Sequence, residues 1–430
     1  MGHKDNQPNR DQDLQQILHQ DSIHLGRAEE NSVPDILHAI RSHLNMEVAF
    51  VSEFTEGKRI FRYVDSDWSG NPVKINQSNP LEESYCQRVV DGRLPELIPD
   101  ASCNRTALEL PITCQLPVGA HMGVPIRLSD GSLYGTFCCF SRTPDHSLNT
   151  RDLALMRVFA ELASKMIERE RKLSTRRYTS RARIKRVLSG NSLSMVYQPI
   201  VDINRNVIAG YEALARFGDE MPVSGPDQWF RDAHLAGLGV ELEMHAIETA
   251  LRVMPQLDKT IDIAVNASPE TVLDSRLNAL LGGTASLERL VLEITEHAAV
   301  ERYEAIAQCL KPYRARGLKI AVDDAGAGYA SFRHILNLVP DRIKLDMSLT
   351  RDIDVDPARR ALAAALIHFS AETGSTLVAE GVETAAELNT LLELGVNRAQ
   401  GYFLGRPISA TQLLNHPAWP EAGGNHALIG

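Results

Sequence analysis

Apolar and polar positions change rhythm along the chain. Near the start, apolar residues recur at helical spacing, at Leu14, Ile17 and Leu18 and again at Val33, Ile36, Leu37, Ile40 and Leu44. That pattern predicts helices with one apolar face. β-type runs follow at 47–54 and 59–64, a helix is expected over 81–90, and strands at 120–128 and 132–140 flank Ser129-Asp130-Gly131. Asp-Gly between two apolar runs signals a hairpin. Helices at both ends of an antiparallel sheet make an α+β domain. From Thr150 to about Leu188 the pattern is one long helix, with Leu155, Phe159, Leu162, Met166 and Leu173 on a seam that Arg169 interrupts. Such a seam suits a connecting helix that pairs across a dimer. From Ser192 the chain alternates strand and helix. Strands are expected at 195–201, 207–215, 261–267, 289–295, 318–323, 342–345, 376–379 and 398–403, and helices at 241–254, 300–313, 357–371 and 384–394. Alternation implies a parallel sheet, and about eight strands in about 240 residues fit a closed α/β (β/α)8 TIM-type barrel.

Length agrees with this division, since 430 residues exceed one ordinary core. The expected parts are a disordered tail at 1–13, the α+β domain at 14–168, a basic helical linker at 169–189 and the barrel at 190–430. A composition of 43% hydrophobic and 23% charged residues is that of a soluble globular protein, and a net charge of −10 argues against a large nucleic-acid surface. The basic run from Arg169 to Arg186 therefore reads as a solvated linker face rather than a DNA contact, since aromatics are sparse in it. No apolar run reaches the roughly 18 residues of a membrane helix, and the opening Met1-Gly2-His3-Lys4-Asp5-Asn6 has no signal-peptide core. The expectation is a cytoplasmic protein without membrane insertion. Six cysteines without a Cys-x-x-Cys make no disulfide framework. Cys138-Cys139, inside the apolar run 136–140, reads as buried small hydrophobes.

The chemistry lies in what ends the barrel strands. Glu212, Asn266, Glu293, Asp323 with Asp324, Lys344, Glu380 and Gln400 each follow an apolar run, at spacings mostly close to one βα unit. In a closed barrel the C-terminal strand ends share one face, where active sites sit, so these residues should converge. Five carboxylates held close would shift one another's pKa strongly, and two divalent cations would remove most of that cost. All-oxygen ligands favour Mg²⁺ or Mn²⁺. Two such ions suit in-line displacement at phosphorus, with Lys344 placed to hold the attacking water or to offset phosphoryl charge.

The motifs now take a family shape. Tyr197-Gln198-Pro199-Ile200, Glu212-Ala213-Leu214 with Arg216, Asn266-Ala267-Ser268, Glu293-Ile294-Thr295-Glu296, Asp323-Asp324, Lys344-Leu345-Asp346, Ala379-Glu380-Gly381-Val382-Glu383-Thr384 and Gln400-Gly401-Tyr402 occur in this order. Residues 190–415 thereby resemble an EAL-type phosphodiesterase of cyclic di-GMP. The resemblance implies that Glu212, Asn266, Glu293 and Asp323 bind one metal and that Asp323, Asp324 and Glu380 hold a second. Lys344 and Glu380 would serve the water, and Gln198, Leu214 and Arg216 would contact the dinucleotide. Glu296 would brace the loop after Asp324, while Asp346, Glu383 and Gln400 would support the site. The implied product is linear pGpG. One departure falls in that loop, Asp323-Asp324-Ala325-Gly326-Ala327-Gly328-Tyr329, where alanines replace the family's phenylalanine and threonine; no metal ligand is lost. Residues 20–170 resemble a GAF domain, through Met46 to Phe54, Leu81 to Cys86, Gly123-Val124-Pro125-Ile126 and Gly131 to Thr136. This implies a sensory or dimerising role, with no residue set that selects a ligand. The rival reading is a catalytically silent cyclic di-GMP receptor that signals through protein partners.

Overall fold

The computed structural model describes residues 32–190, 192–218, 225–294, 303–325 and 329–415, with the side chains of 324 and 329–331 outside that description. The expected tail and the Leu14–Leu18 helix lie outside the described residues. The chain forms two units, divided between Ser174 and Thr175.

The first unit is an antiparallel sheet with a core on each face. Its strands are β1 (Val48–Thr55), β2 (Lys58–Ser66), β3 (Ser78–Pro80), β4 (Leu97–Ile98), β5 (Ala120–Arg127) and β6 (Leu133–Ser141), in the order β3-β2-β1-β6-β5-β4. Gly131, at φ 81°, makes the β5–β6 turn that Asp-Gly predicts. Strand side chains alternate between faces, so the neighbours Cys138 and Cys139 enter different cores. Cys139 joins α1 (Val33–His43) and Met156 and Ile167 of the long helix; Cys138 joins Phe50, Phe61 and the short helix α2 (Tyr85–Val90). Both are buried, as the sequence led us to expect.

The long helix, α3, spans Thr150–Ser189 and crosses the division between units. Within the first unit Met156, Ala160, Ala163 and Ile167 form its buried stripe, one position on from the seam read in the sequence, and Leu162 and Leu173 remain exposed. Within the second unit its arginines correct a second expectation. Arg176 and Arg183 both pair with the buried Asp232 of α4 (Pro226–Leu235), at 2.9 and 2.5 Å. Arg177 donates to the Leu235 carbonyl and Arg181 to the Ala236 carbonyl, at 2.8 and 2.9 Å. These carbonyls close the C-terminal end of α4, where cations are favoured. This part of the basic run is docked on the barrel rather than solvated.

The second unit is a closed barrel of eight strands, β7 (Leu193–Asp202), β8 (Val207–Phe217), β9 (Asp262–Ala267), β10 (Leu290–Ile294), β11 (Lys319–Ala325), β12 (Arg342–Leu345), β13 (Thr376–Ala379) and β14 (Arg398–Ala399), shut by β14 pairing with β7. A short strand, Ile408–Ser409, adds to β7 from outside. β8 to β14 run parallel, but β7 is antiparallel to both its neighbours. The all-parallel expectation fails there because only residues 203–206 join β7 to β8, too short for a crossover. Inside the barrel, period-2 alternation builds layers. Ala264, Val291 and Ala321 form a small apolar layer, flanked along the same strands by charged residues.

Candidate active site

Lys344 on β12 is the point of convergence. It is 2% exposed, and its Nζ lies 2.8 Å from Glu293 Oε2, 2.7 Å from Glu380 Oε1, 3.1 Å from Asp323 Oδ1 and 3.5 Å from Glu212 Oε1. These side chains come from β10, from the residue after β13, from β11 and from β8. Asn266 of β9 donates its Nδ2 to Glu212 Oε1 at 3.3 Å, which leaves its amide oxygen uncommitted. Gln400 donates to Glu212 Oε2 at 2.6 Å and to Gln198 Oε1 at 3.2 Å, and Gln198 in turn donates to the Gly405 carbonyl. Gln400 Oε1 is buried with no partner. Parallel registry produces this convergence: Asn266 is level with Glu293, and Lys344 and Asp323 stand at the same end of adjacent strands.

Electrostatics follow from the crowding. Burial pushes the Glu293 carboxyl up to about 8; Lys344 opposes that rise and the charges of Glu212 and Asp323 add to it. Burial likewise holds Glu380 well above its ordinary value, against the pull of Lys344. For Lys344 burial works against the charge, but Asp323, Glu212, Glu293 and Glu380 together hold the ammonium well above its usual range. Four carboxylates thus share one ammonium. Among the described residues no three His, Cys, Asp or Glu side chains close into a cage of their own; Lys344 occupies their meeting point. The excess negative charge and all-oxygen donor set fit hard divalent cations.

Beside this cluster lies a cavity of about 560 Å³, within the range that takes small-molecule ligands. Glu212, Asn266 and Asp323 face it, as do Leu214 and Arg216. Arg216 Nη1 also donates to the Ala215 carbonyl at 2.8 Å. α4 supplies Asp227, Phe230, Arg231 and His234 to the wall, residues that sequence reasoning did not single out. Their signal was available but short: Pro226 at the first helical position, then Trp229, Phe230 and Ala233. His234 is fixed by Glu243, whose Oε1 lies 3.1 Å from its Nε2, while Glu243 Oε2 accepts from the Ser268 amide at 2.8 Å. The hydrogen bond to Glu243 raises the His234 pKa.

The remaining expected residues lie apart or outside. Asp346 caps the short helix Met347–Thr350, accepting from the Ser348 amide at 3.0 Å. Glu383 is half-exposed and pairs with Arg351. The backbone of Asp324 is in β11 but its side chain is outside the described set, as is all of Glu296. Ala325, the first altered position of the loop, is buried in the barrel core.

The opposite ends of the same strands carry the inverse arrangement. Buried Asp262, the first residue of β9, pairs with Lys319 Nζ at 2.9 Å, with Arg342 and with Arg398 at 3.9 Å; these bases begin β11, β12 and β14. Gly210 makes room for it, since a Cβ there would meet the Asp262 carbonyl at 2.8 Å.

Comparison with known proteins agrees with this architecture. The family model of the EAL domain matches residues 181–407, more than half of the chain, and that of a GAF domain matches residues 27–168. The bifunctional diguanylate cyclase/cyclic di-GMP phosphodiesterase MucR of Pseudomonas aeruginosa is 33% identical over 243 residues, 54% of this chain and 35% of MucR. The cyclic di-GMP phosphodiesterase PdeF of Escherichia coli K12 is 28% identical over 242 residues, 54% of this chain and 32% of PdeF. The solved structure of the EAL enzyme Bd1971, in its cAMP and cyclic-di-GMP bound form, shares the fold at 16% identity, with a TM-score of 0.53 over 86% of this chain and 93% of that one. The chain spans about a third to a half of the length of the curated relatives it matches. Among the described residues no helix is long and apolar enough to cross a membrane. With strand order, acid positions and family match in agreement, the chain belongs to the EAL domain family, its barrel preceded by a GAF domain.

Proposed function

We propose that this chain hydrolyses cyclic di-GMP to linear pGpG in the cavity at the C-terminal face of its barrel, dependent on two Mg²⁺ or Mn²⁺ ions. The observation that carries this reading is the four carboxylates sharing the Lys344 ammonium at the edge of a cavity that also holds Arg216 and Arg231. Glu212, Glu293, Asp323, Asp324 and Glu380, with the Asn266 amide oxygen, would hold the ions. Bound cations would supply the charge that makes water nucleophilic at neutral pH and steadies the phosphoryl oxygens. Gln400 and Asn266 orient Glu212 through its two oxygens. Lys344 holds its proton and presents a fixed positive charge to the reacting phosphoryl group. Arg216 and Arg231 offer charge to the phosphates, and Leu214 and Phe230 offer apolar faces to a guanine.

In the same reading the protein works in the cytoplasm as a homodimer, and its GAF unit regulates the barrel through α3. Exposed Val158, Leu162 and Leu173 on that helix support the pairing. The arginine grip on α4 supports the regulation, because α4 also walls the cavity. The test is to incubate purified protein with cyclic di-GMP and Mg²⁺ or Mn²⁺, beside an EDTA control, and to chromatograph the products. Metal-dependent pGpG is expected. Saturable binding of the intact dinucleotide, with no product under either metal, would instead establish the receptor.

A further inference from the structure

We propose that Cys86 and Cys138 of the GAF unit are a two-electron redox pair, in which a hydroperoxide oxidises Cys86 and Cys138 then closes a disulfide that ties α2 to β6. This rests on the GAF unit alone and stands whether or not the barrel hydrolyses cyclic di-GMP.

The two sulfurs are 3.8 Å apart and both residues are fully buried. A disulfide needs about 2.0 Å between sulfurs, a closure within reach of side-chain torsion and a small shift of the short helix α2. The surroundings are not those of inert core thiols. Arg59 of β2 is 4% exposed and directs its Nη1 to Cys86 Sγ at 3.5 Å. Its guanidinium stacks on Phe61 at 4.4 Å, its Nε has no partner, and among the described residues no carboxylate pairs with it. A buried cation without a counter-charge is costly, and the Cys86 sulfur is the neighbour able to supply one as thiolate. The Ser52 hydroxyl donates toward Cys86 Sγ at 3.8 Å, and the single Cys138 thiol proton is shared between Thr136 Oγ1, at 3.3 Å, and Cys86 Sγ, at 3.8 Å. One sulfur therefore receives positive charge while the other keeps its proton. Burial opposes a charged Cys86, but the hydrogen bond from Cys138 and the charge of Arg59 carry its thiol well below the usual value, whereas burial and the neighbouring Cys86 push Cys138 well above it. Cys139, one residue on, is just as buried but faces the other core, and burial drives its thiol up. It is a built-in control.

The chemistry balances as follows. The Cys86 thiolate attacks one oxygen of hydrogen peroxide, the O–O bond breaks, and the departing hydroxide takes up a proton as water, leaving a sulfenic acid on Cys86. Cys138 Sγ attacks that sulfur, the S–S bond forms, and the expelled hydroxide carries away the Cys138 proton as a second water. Two thiols lose two electrons and the peroxide gains them. Because both sulfurs are sealed from bulk water, access is through local opening of α2, which favours an oxidant of about water's size over a bulky organic hydroperoxide.

The experiment uses the reduced full chain, treated with equimolar hydrogen peroxide, alkylated in denaturant, digested and examined by mass spectrometry. The expected result is a Cys86–Cys138 cross-link, lighter by two hydrogens than the separate peptides and retained in Cys139→Ser. Cys138→Ser should lose the link and leave a Cys86 sulfenic acid that dimedone captures. Arg59→Gln should slow cross-linking by about tenfold or more, and cumene hydroperoxide should act more slowly than hydrogen peroxide on the wild type. A link to Cys139, or no link once the exposed Cys103 and Cys114 are oxidised, would overturn the proposal. So would an Arg59→Gln chain that keeps its circular dichroism and cross-links at the wild-type rate. If a variant misfolds, mapping the link in the wild type and in Cys139→Ser still decides the matter.

Discussion

The two ends of the barrel solve opposite electrostatic problems with the same strands. At the C-terminal end one lysine is surrounded by four carboxylates; at the N-terminal end one aspartate, Asp262, is surrounded by Lys319, Arg342 and Arg398. Ala264, Val291 and Ala321 separate them. Each end carries an excess of one sign; the negative excess adjoins the cavity described above, and it is the sign that metal cations can relieve. At the N-terminal end the bases are relieved by fixed partners instead. Buried Arg289, nearby, donates to the carbonyls of Ile261, Met254 and Leu257, and burial lowers the Arg398 pKa, with Arg342 adding to the effect. The lesson is that buried ion clusters of similar make serve stability where their partners are fixed and function where part of the compensation is left to a ligand.

The sharpest way to break this contrast is Lys344→Met. Hydrolysis should fall by about a thousandfold or more, and the unfolding temperature should become more dependent on added Mg²⁺ or Mn²⁺, because the carboxylates lose their internal cation. Turnover within tenfold of wild type would remove Lys344 from the centre of the site. Asp262→Asn tests the other end. It leaves three bases without their acid and should cost about 3–5 kcal/mol in urea unfolding, while turnover per folded molecule stays near wild type; a stable variant with impaired turnover would mean that the two ends are not independent.

The GAF unit adds the case of a buried base with no partner. Burial, with the charge of Arg59, holds His121 down at about 3, and both its ring nitrogens are unpartnered. The unfolded chain, with an ordinary histidine near 6.5, therefore binds more protons between these values. Stability present above about pH 6.5 is lost as pH falls toward 3, by up to a few kcal/mol. Unfolding of the GAF unit at pH 4.5 and pH 7 should show that slope in the wild type and a flatter one in His121→Gln; equal slopes would refute the assignment. The smallest effect belongs to the arginine grip. Arg183→Gln removes one of the two arginines that pair with Asp232 and should quicken tryptic cleavage after Arg176 and Arg177 by a few-fold, without abolishing hydrolysis. Unchanged cleavage would make that contact ornamental.

Much of this could be read in the sequence for a physical reason: an acid after an apolar strand is improbable unless something compensates it, so Glu212, Glu293, Asp323 and Glu380 announced themselves. Asp262, Lys319, Arg342 and Arg398, each opening a strand with opposite signs, left the same kind of trace, which went unread because charges at strand starts are ordinary. Strand direction was hidden in a different way. Periodicity carries no polarity, and only the brevity of 203–206 betrays the antiparallel β7. The grip on Asp232 could not be read, because it joins arginines to an acid about fifty residues away. The approach of Cys86 to Cys138 spans 52 residues and depends on which face of β6 each cysteine takes. Local pattern gives that alternation but not the helix that arrives above it.

The thin apolar layer of Ala264, Val291 and Ala321 has a consequence for traffic. On β9, β10 and β11 it sets an apolar step between the acids at one end and the bases at the other, while the cavity adjoins the acids. Whatever narrows the mouth of that cavity would act on the entry and the exit of a ligand together. A wall of the mouth such as α4 is then a throttle on the whole cycle rather than on any single step.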